Sequence, residues 1–150
     1  MPDSSVTLPQ PLAAASAAGA AAAGVRRVAL VTGAGKRLGR HIALTLAQQG
    51  WDVAVHCRAS RTEAEATADE IRSLGRQAVV LSADLSDEVA ARALPAQAVA
   101  ELGQLDAVVN SASTFEYDTA ATFSYAMLER HLRANTAPAI VLAQCLAEHV

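Results

Sequence analysis

The chain has 150 residues, which is enough for one domain of ordinary size. Apolar residues make up 52% of the chain and charged residues 18%, so a hydrophobic core can form. The net charge of −3 and the aromatic content of 3% argue against a nucleic-acid-binding surface or attraction to an acidic membrane. The two cysteines and four histidines show no metal-site spacing, so we expect reduced thiols and no bound metal.

The first 25 residues differ in composition from the rest of the chain. Alanine occupies nine of the eleven positions from Ala13 to Ala23, and Asp3 is the only charged residue before Arg26. The segment lacks the basic start of a secretory signal, and alanine is too weakly apolar to favour a membrane span. We therefore predict a disordered tail over residues 1–25 and a folded unit over residues 26–150.

Short apolar runs alternate with segments of helical period along the rest of the chain. In chain order, the predicted elements are a strand at Val28–Val31, a helix at Leu38–Gln49, a strand at Val53–His56, a helix at Thr62–Leu74, a strand at Ala78–Leu81, a helix at Asp87–Leu102, a strand at Leu105–Val109 and a helix at Phe123–Val150. Gly50, Gly75 and Gly103 each follow a predicted helix, as C-terminal glycines do. Pro95 is expected to kink or interrupt the third helix.

This alternation predicts an α/β fold with a Rossmann-type doubly wound parallel sheet. In such sheets the ligand binds at the carboxyl ends of the strands. We expect the site beside the switch point, which lies between the first and fourth strands.

The turn after the first strand contains three glycines, Gly33, Gly35 and Gly39. It leads from a buried strand into a helix, where backbone N–H groups and the helix dipole can hold a nucleotide pyrophosphate. The spacing is one residue longer than the common dinucleotide fingerprint. A P-loop is excluded, because Lys36 is followed by Arg37 and position 30 is not glycine. The turn therefore predicts dinucleotide binding.

The end of the second strand indicates which dinucleotide binds. NAD sites place an acidic residue there to hold the ribose hydroxyls, but residues 55–61 contain no acid. Arg58, with Ser60 or Arg61 beside it, suits a 2′-phosphate instead, and Arg37 adds positive charge nearby. NADP(H) is therefore favoured over NAD(H). The alternative is that Arg58 is an ordinary solvated residue.

Two further strand ends carry candidate residues. Asp84, followed by Leu85, can accept a hydrogen bond from an adenine amino group after the third strand. The alternative is that Asp84 or Ser86 caps the next helix. After the fourth strand, the small residues of 110–113 let the chain pass close over a ribose. The candidate cofactor-binding residues are Gly33, Gly35, Lys36, Arg37, Leu38, Gly39, Arg58, Ser60, Asp84, Leu85, Asn110, Ser111 and Ala112.

Together these motifs resemble the short-chain dehydrogenase/reductase family over residues 26–150. The family pattern Thr-Gly-x-x-x-Gly-x-Gly is present at positions 32–39, with Arg37 in place of the middle glycine. The Asn-Asn-Ala-Gly element is present as Asn-Ser-Ala-Ser at 110–113, and the mid-helix asparagine is Asn135. The resemblance implies that the chain holds about four of the family's seven strands, as an NADP-binding half-domain over 26–150.

Arg37 and the run Ser113-Thr114-Phe115 narrow the resemblance to pteridine reductases and their bacterial dihydrofolate/dihydromonapterin reductase relatives. In that subgroup, residues matching Arg37, Ser113 and Phe115 lie at the substrate. The implied activity is NADPH-dependent hydride transfer to a pterin or dihydrofolate-like small molecule. The alternatives are a short-chain reductase of another carbonyl substrate and a non-catalytic NADP-binding module.

The family's catalytic Tyr-x-x-x-Lys pair is missing from this sequence. Lys36 is the only lysine, and neither Tyr117 nor Tyr125 has a lysine four residues later. We expect the pair downstream of residue 150, which leaves Asn135 as the one catalytic residue here, unless it is a surface helix residue. In the family this asparagine breaks the regular helix and orders a water in the proton relay, and nearby Pro138 suits such an irregularity.

The resemblance has further implications for the whole protein. It implies a cytoplasmic enzyme that is a homodimer or homotetramer, because the family's subunit interface includes the helix matching residues 123–150. We also expect Val141, Leu142 and Leu146 on this helix to lack packing partners in the 150-residue chain.

Overall fold

The structure, a computed structural model, describes residues 25–149, so nearly all of the predicted tail over residues 1–25 lies outside the described residues. The elements are β1 (Arg27–Val31), α1 (Arg37–Gln48), β2 (Trp51–Cys57), α2 (Arg61–Ser73), β3 (Ala78–Ser82), α3 (Glu88–Leu102), β4 (Ala107–Val109), α4 (Tyr125–His131) and α5 (Ala137–His149). A π-helical turn at Leu132–Thr136 separates α4 from α5. The predicted strands and helices are all present, with shifted ends.

The four strands form one parallel sheet in the order β3-β2-β1-β4. Val31, at the end of β1, is paired with Val55 on β2 and with Val109 on β4. The strands β2 and β3 are therefore added in turn on one side of β1, and β4 then pairs with β1 on its other side. The predicted Rossmann-type sheet and its switch point between the first and fourth strands are confirmed.

Helices cover both faces of the sheet because successive strand residues point to opposite sides. On one face Val31 and Val55 pack in a core with Ala43 of α1. On the other face Leu30 and Ala54 share a core with helices α3 and α5. Both faces are apolar, as expected for a parallel sheet that is buried on both sides.

The third helix runs through Pro95 without a break, so of the two expected effects, a kink or an interruption, the interruption is wrong. Pro95 cannot donate a backbone hydrogen bond, but its side chain is fully buried. Burial of the ring is the favourable contribution at this position, against the one hydrogen bond that the helix loses.

The last predicted helix is divided. The helix α4 begins at Tyr125. Ser124 is its N-cap residue, and the Ser124 hydroxyl accepts a hydrogen bond from the Met127 amide at 3.2 Å. Asn135 lies in the π-helical turn, and Pro138 follows in the first turn of α5. The irregularity predicted at Asn135 is therefore confirmed.

The helix α5 packs against α3, which corrects one expectation. Leu142 is fully buried in the same core as Leu94 and Ala98 of α3, and Leu146 packs against that core. The expectation that Leu142 lacks partners is therefore wrong, because α3 supplies them. Among the described residues of α5, the exposed large apolar side chain is that of Ile140, at 58%.

Replacing Leu142 by alanine should lower the free energy of unfolding by about 2–5 kcal/mol, because it leaves a cavity between α3 and α5. The matched variant Ile140→Ala should change it by less than about 0.5 kcal/mol, since Ile140 is exposed. Urea denaturation followed by circular dichroism measures both values. Equal losses in the two variants would contradict the packing of α5 on α3.

Candidate cofactor site

The carboxyl ends of the four strands surround a cavity of about 500 Å³. Its wall is formed by the segments that follow each strand, together with His56 near the end of β2 and Ala134 from the π-helical turn. Twelve candidate residues lie on this wall: Gly33, Lys36, Arg37, Leu38, Gly39, Arg58, Ser60, Asp84, Leu85, Ser111, Ala112 and Ser113. The fold therefore brings together residues from four separate strand ends.

The loop from β1 to α1 fits closely against its surroundings at two glycines. Gly33 has a φ of 65°, and a Cβ there would lie 2.9 Å from the Cα of Ala112. A Cβ on Gly39 would overlap the carbonyl oxygen of Gly33. A side chain at position 33 would therefore push the segment after β4 away from the loop, and one at position 39 would push α1 away from it.

The N-terminus of α1 suits an anionic ligand. Lys36, the N-cap residue, makes no side-chain capping bond, and the first turn of α1 contains no acidic residue. Within the described part of the chain, no side chain therefore caps the first backbone N–H groups of α1. These groups and the helix dipole favour a phosphate.

Arg37 adopts a backbone conformation that normally favours glycine. Its φ is 51°, which makes it the one non-glycine residue with positive φ among residues 25–149. This conformation costs an L-residue roughly 1–2 kcal/mol. Strain of this kind is typical of functional sites, and the Arg37 side chain lies on the cavity wall.

Thr32, the first residue of the Thr-Gly motif, joins β1 to the segment after β4. Its Oγ1 accepts hydrogen bonds from the amides of Ser111 and Ala112, each at 3.0 Å. The same hydroxyl donates to the carbonyl of Val109 at 3.3 Å. Thr32 is buried, so these bonds are shielded from water.

Arg58 and Arg61 differ in their surroundings. Arg58 lies on the cavity wall and makes no ion pair within residues 25–149. Arg61 is absent from that wall and pairs with Glu65 at 3.2 Å. Of the two, Arg58 is therefore the one placed to contact a ligand.

Asp84 lies on the wall and organises the turn after β3. Its Oδ1 accepts hydrogen bonds from the hydroxyl of Ser86 at 2.7 Å and from the Ser86 amide at 2.9 Å. These bonds, with a weaker effect of Arg58, hold the pKa of Asp84 below its usual value. The alternative that Asp84 or Ser86 caps α3 is wrong, because Asp87 caps it through the Val89 amide at 2.9 Å.

The ammonium of Lys36 is held at the start of α2. Lys36 Nζ lies 2.6 Å from Oε1 of Glu63, and both side chains are about half exposed. The hydrogen bond from Lys36 lowers the pKa of the Glu63 carboxyl. The positive charge of Lys36 is therefore largely balanced by Glu63.

Four candidate residues do not lie on the wall: Gly35, Asn110, Phe115 and Asn135. Gly35 is buried against the start of α2, where a Cβ would lie 3.1 Å from Ser60 Oγ. Asn110 is exposed, and Phe115 is 83% exposed. These placements leave Gly35 a packing role in this structure, and leave Asn110 and Phe115 without cavity contact.

Asn135 holds Thr114, a residue of the cavity wall, through two hydrogen bonds. Its Oδ1 accepts a hydrogen bond from the Thr114 amide at 2.7 Å, and its Nδ2 donates to the Thr114 carbonyl at 2.9 Å. Thr114 lies on the wall, so the π-helical turn fixes the segment after β4. Six further residues of the wall were not predicted from the sequence: Thr114, His56, Ala59, Ala83, Ser86 and Ala134.

Residues 27–150 match the family described as short chain dehydrogenase. The chain belongs to this family. Versicolorin reductase stcU of Emericella nidulans is 36% identical over 124 residues, which cover 83% of this chain and 47% of that protein. The 3-oxoacyl-[acyl-carrier-protein] reductase FabG of Staphylococcus aureus is 40% identical over 84 residues, or 56% of this chain and 34% of that protein.

Solved structures of family members share the fold. A short chain dehydrogenase from Burkholderia cenocepacia in complex with NADP has 34% identity and a TM-score of 0.79, covering 83% of this chain and 51% of that one. The FolM alternative dihydrofolate reductase 1 from Brucella suis in complex with NADP has 35% identity, a TM-score of 0.77 and the same coverage. The 150-residue chain thus spans about half the length of the chains in these two structures.

Neither a membrane-spanning helix nor a metal site is found in the part of the chain that the structure describes. No helix there combines the length and apolar character that crossing a lipid bilayer requires. The same residues contain no group of three or more His, Cys, Asp or Glu side chains placed to hold a metal ion. Cys57 and Cys145 are buried free thiols.

Replacing Thr32 by valine should lower the free energy of unfolding by about 1–3 kcal/mol, because it leaves the Ser111 and Ala112 amides without their acceptor. Thr32→Ser keeps the hydroxyl and is the matched control, with a smaller loss expected. Chemical denaturation measures both. A valine variant as stable as the serine variant would contradict the role of the hydroxyl.

Arg37→Gly should leave the free energy of unfolding unchanged or raise it by up to about 1 kcal/mol, since relief of positive φ outweighs the added entropy of the unfolded chain. His41→Gly, at an exposed interior position of α1, should lower it by about 1 kcal/mol. Thermal and urea denaturation compare the two variants. A loss of stability in Arg37→Gly equal to that in His41→Gly would show that position 37 is unstrained.

Proposed function

We propose that the chain is the NADP(H)-binding part of a short chain dehydrogenase that acts as a reductase. The observation that carries this proposal is Arg58, at the end of β2, on the cavity wall and without an ion-pair partner in residues 25–149. No acidic residue occupies the position that would hold the ribose hydroxyls of NAD. The NADP in the two related structures supports the same cofactor.

Each strand end suits a different part of NADP(H). The loop at Gly33–Gly39 and the first turn of α1 would hold the pyrophosphate, with Arg37 adding positive charge. Arg58 and Ser60 would hold the 2′-phosphate by charge-assisted hydrogen bonds. Asp84, whose lowered pKa keeps it ionised, would accept a hydrogen bond from the adenine amino group beside Leu85. Ser111 and Ala112, which lie on the cavity wall, would follow the nicotinamide ribose.

When bound, NADPH supplies the hydride that reduces the substrate. The chain's own residues bind and orient the cofactor and form part of the substrate side of the cavity. Asn135 contributes by fixing Thr114 through two hydrogen bonds. The Tyr-x-x-x-Lys pair downstream, the homodimer or homotetramer and the cytoplasmic location stay predictions.

A pterin or dihydrofolate-like compound is the substrate class that we favour. Arg37 and Ser113 are both on the cavity wall, and two of the similar structures are FolM alternative dihydrofolate reductases. Relatives named as versicolorin and 3-oxoacyl reductases favour the second candidate, a reductase of another carbonyl substrate. Substrate-dependent oxidation of NADPH by the whole protein, compared for dihydropterins, dihydrofolate and simple ketones, separates the two. A third candidate, a non-catalytic NADP-binding module, predicts no oxidation with any of them.

Replacing Arg58 by alanine should raise the dissociation constant for NADPH by roughly 10–100-fold, because a charge-assisted contact to the 2′-phosphate is lost. The dissociation constant for NADH should change little, since NADH lacks this phosphate. Arg92→Ala, on the exposed side of α3, is the matched control and should not affect either cofactor. Fluorescence titration measures all values. Equal weakening of NADH and NADPH in Arg58→Ala would contradict the assignment.

A further inference from the structure

His56 is a buried histidine that holds two loops of the cofactor site together. Its side chain is 1% exposed and lies at the carboxyl end of β2. Nδ1 lies 3.2 Å from the backbone nitrogen of Gly33, and Nε2 lies 3.1 Å from the carbonyl oxygen of Ala83. Gly33 belongs to the loop after β1 and Ala83 to the segment after β3. The imidazole therefore bridges the segments on either side of β2.

The backbone of His56 reinforces this bridge. Its carbonyl oxygen accepts a hydrogen bond from the Ala34 amide at 2.8 Å. Two successive amides of the glycine loop, at Gly33 and Ala34, are thus held by one residue. His56 is also one of the residues that line the cavity, but at 1% exposure its ring supports the wall and does not offer a contact surface to the ligand.

Only one tautomer of the neutral imidazole can make both hydrogen bonds. The amide of Gly33 can only donate, so Nδ1 must be the acceptor and carry no proton. The carbonyl of Ala83 can only accept, so Nε2 must carry the proton. A second proton would sit on Nδ1 and face the Gly33 N–H group, which breaks that hydrogen bond.

We propose that His56 is a positioning residue that shapes the glycine loop for its ligand only while the imidazole is neutral. Protonation of His56 releases the Gly33 amide, loosens the loop and weakens dinucleotide binding. The loop ordering follows from the geometry of His56 alone, whereas the effect on affinity rests on the proposed function.

The surroundings of His56 oppose its protonation. Burial lowers the pKa of the imidazole from 6.5, and the hydrogen bond to Ala83 offsets this only in part. The charged groups sharing the cavity wall are Lys36 and Arg37 after β1, Arg58 after β2 and Asp84 after β3. The wall segment after β4 and the register partner Leu81 on β3 carry no titratable side chain.

The direction of the pH effect follows from the lowered pKa. The unfolded or loosened chain binds the proton more readily than the ordered one. The stabilisation is therefore fully present above pH 6.5 and is lost as the pH falls below that value towards the pKa of the folded state. Because protonation of His56 weakens ligand binding in this proposal, bound ligand must in turn oppose protonation, so the loss of loop order should be clearest without ligand.

The test compares the 150-residue chain with two asparagine variants. His56→Asn places an amide oxygen near the position of Nδ1, where it can accept from Gly33 without titrating. His41→Asn, at an exposed position on α1, is the matched control. Hydrogen exchange measures the protection factors of the Gly33 and Ala34 amides between pH 7.5 and 5.5. Fluorescence titration measures the NADPH dissociation constant over the same range.

In the original chain and in His41→Asn, we expect the two protection factors to fall by up to about tenfold per pH unit between pH 6.5 and the lower pKa of folded His56. The affinity for NADPH should fall with them. In His56→Asn both should be nearly independent of pH. Protection that is insensitive to pH in the original chain, or equally sensitive in His56→Asn, would overturn the proposal.

Two further outcomes keep the test decisive. If His56→Asn does not fold, the ring nitrogens of His56 in the original chain are observed by NMR, and a proton on Nδ1 at pH 7.5 would overturn the proposal. If loop protection follows the titration of His56 but NADPH does not bind at any pH, the positioning role of His56 is supported while the NADP(H) assignment fails.

Discussion

The close contact between the loop after β1 and the segment after β4 is the constraint on which the site depends. The hydroxyl of Thr32 holds the amides of Ser111 and Ala112 at 3.0 Å, and Gly33 lies against Ala112 with no room for a Cβ. This contact joins the two strands at the switch point of the sheet. It also places the N-terminus of α1 beside the cavity, because Gly39 packs directly on Gly33.

The second property of the site is its uneven charge. The positive charge of Lys36 is balanced by Glu63, but Arg37 and Arg58 on the wall face only one carboxylate, that of Asp84. The first turn of α1 adds backbone donors without an acidic cap. A small chain with a net charge of −3 thus concentrates positive potential at one edge of its sheet, where a phosphorylated ligand would bind.

Much of the fold could be predicted from local sequence patterns. Apolar periodicity located the strands and helices, and the alternation of strands and helices was sufficient for the parallel sheet. Helix ends were less accurate, because they depend on caps such as Ser124 and Asp87, and for α3 the sequence also offered Asp84 and Ser86. The continuity of α3 through Pro95 and the burial of Leu142 depend on packing against other elements, which periodicity does not describe.

The same distinction applies to the site. Residues that belong to a contiguous motif, such as Gly33, Arg37 and Gly39, could be found from spacing. The bond of Asn135 to Thr114 spans 21 positions and that of His56 to Gly33 spans 23, so the partners are known only once the chain is folded. Phe115 was expected at the substrate from its motif alone, and its exposed side chain does not touch the cavity wall.

The central claim, that the strand ends form a site for NADP(H), is tested most directly by mapping where the cofactor binds. Backbone amide NMR spectra of the uniformly labelled chain would be recorded during separate titrations with NADPH and NADH. The account predicts saturable shifts at the loop 33–39, at Arg58–Ser60 and at Asp84–Ser86, with NADPH saturating at much lower concentration. Shifts centred elsewhere, or equal responses to the two cofactors, would contradict it.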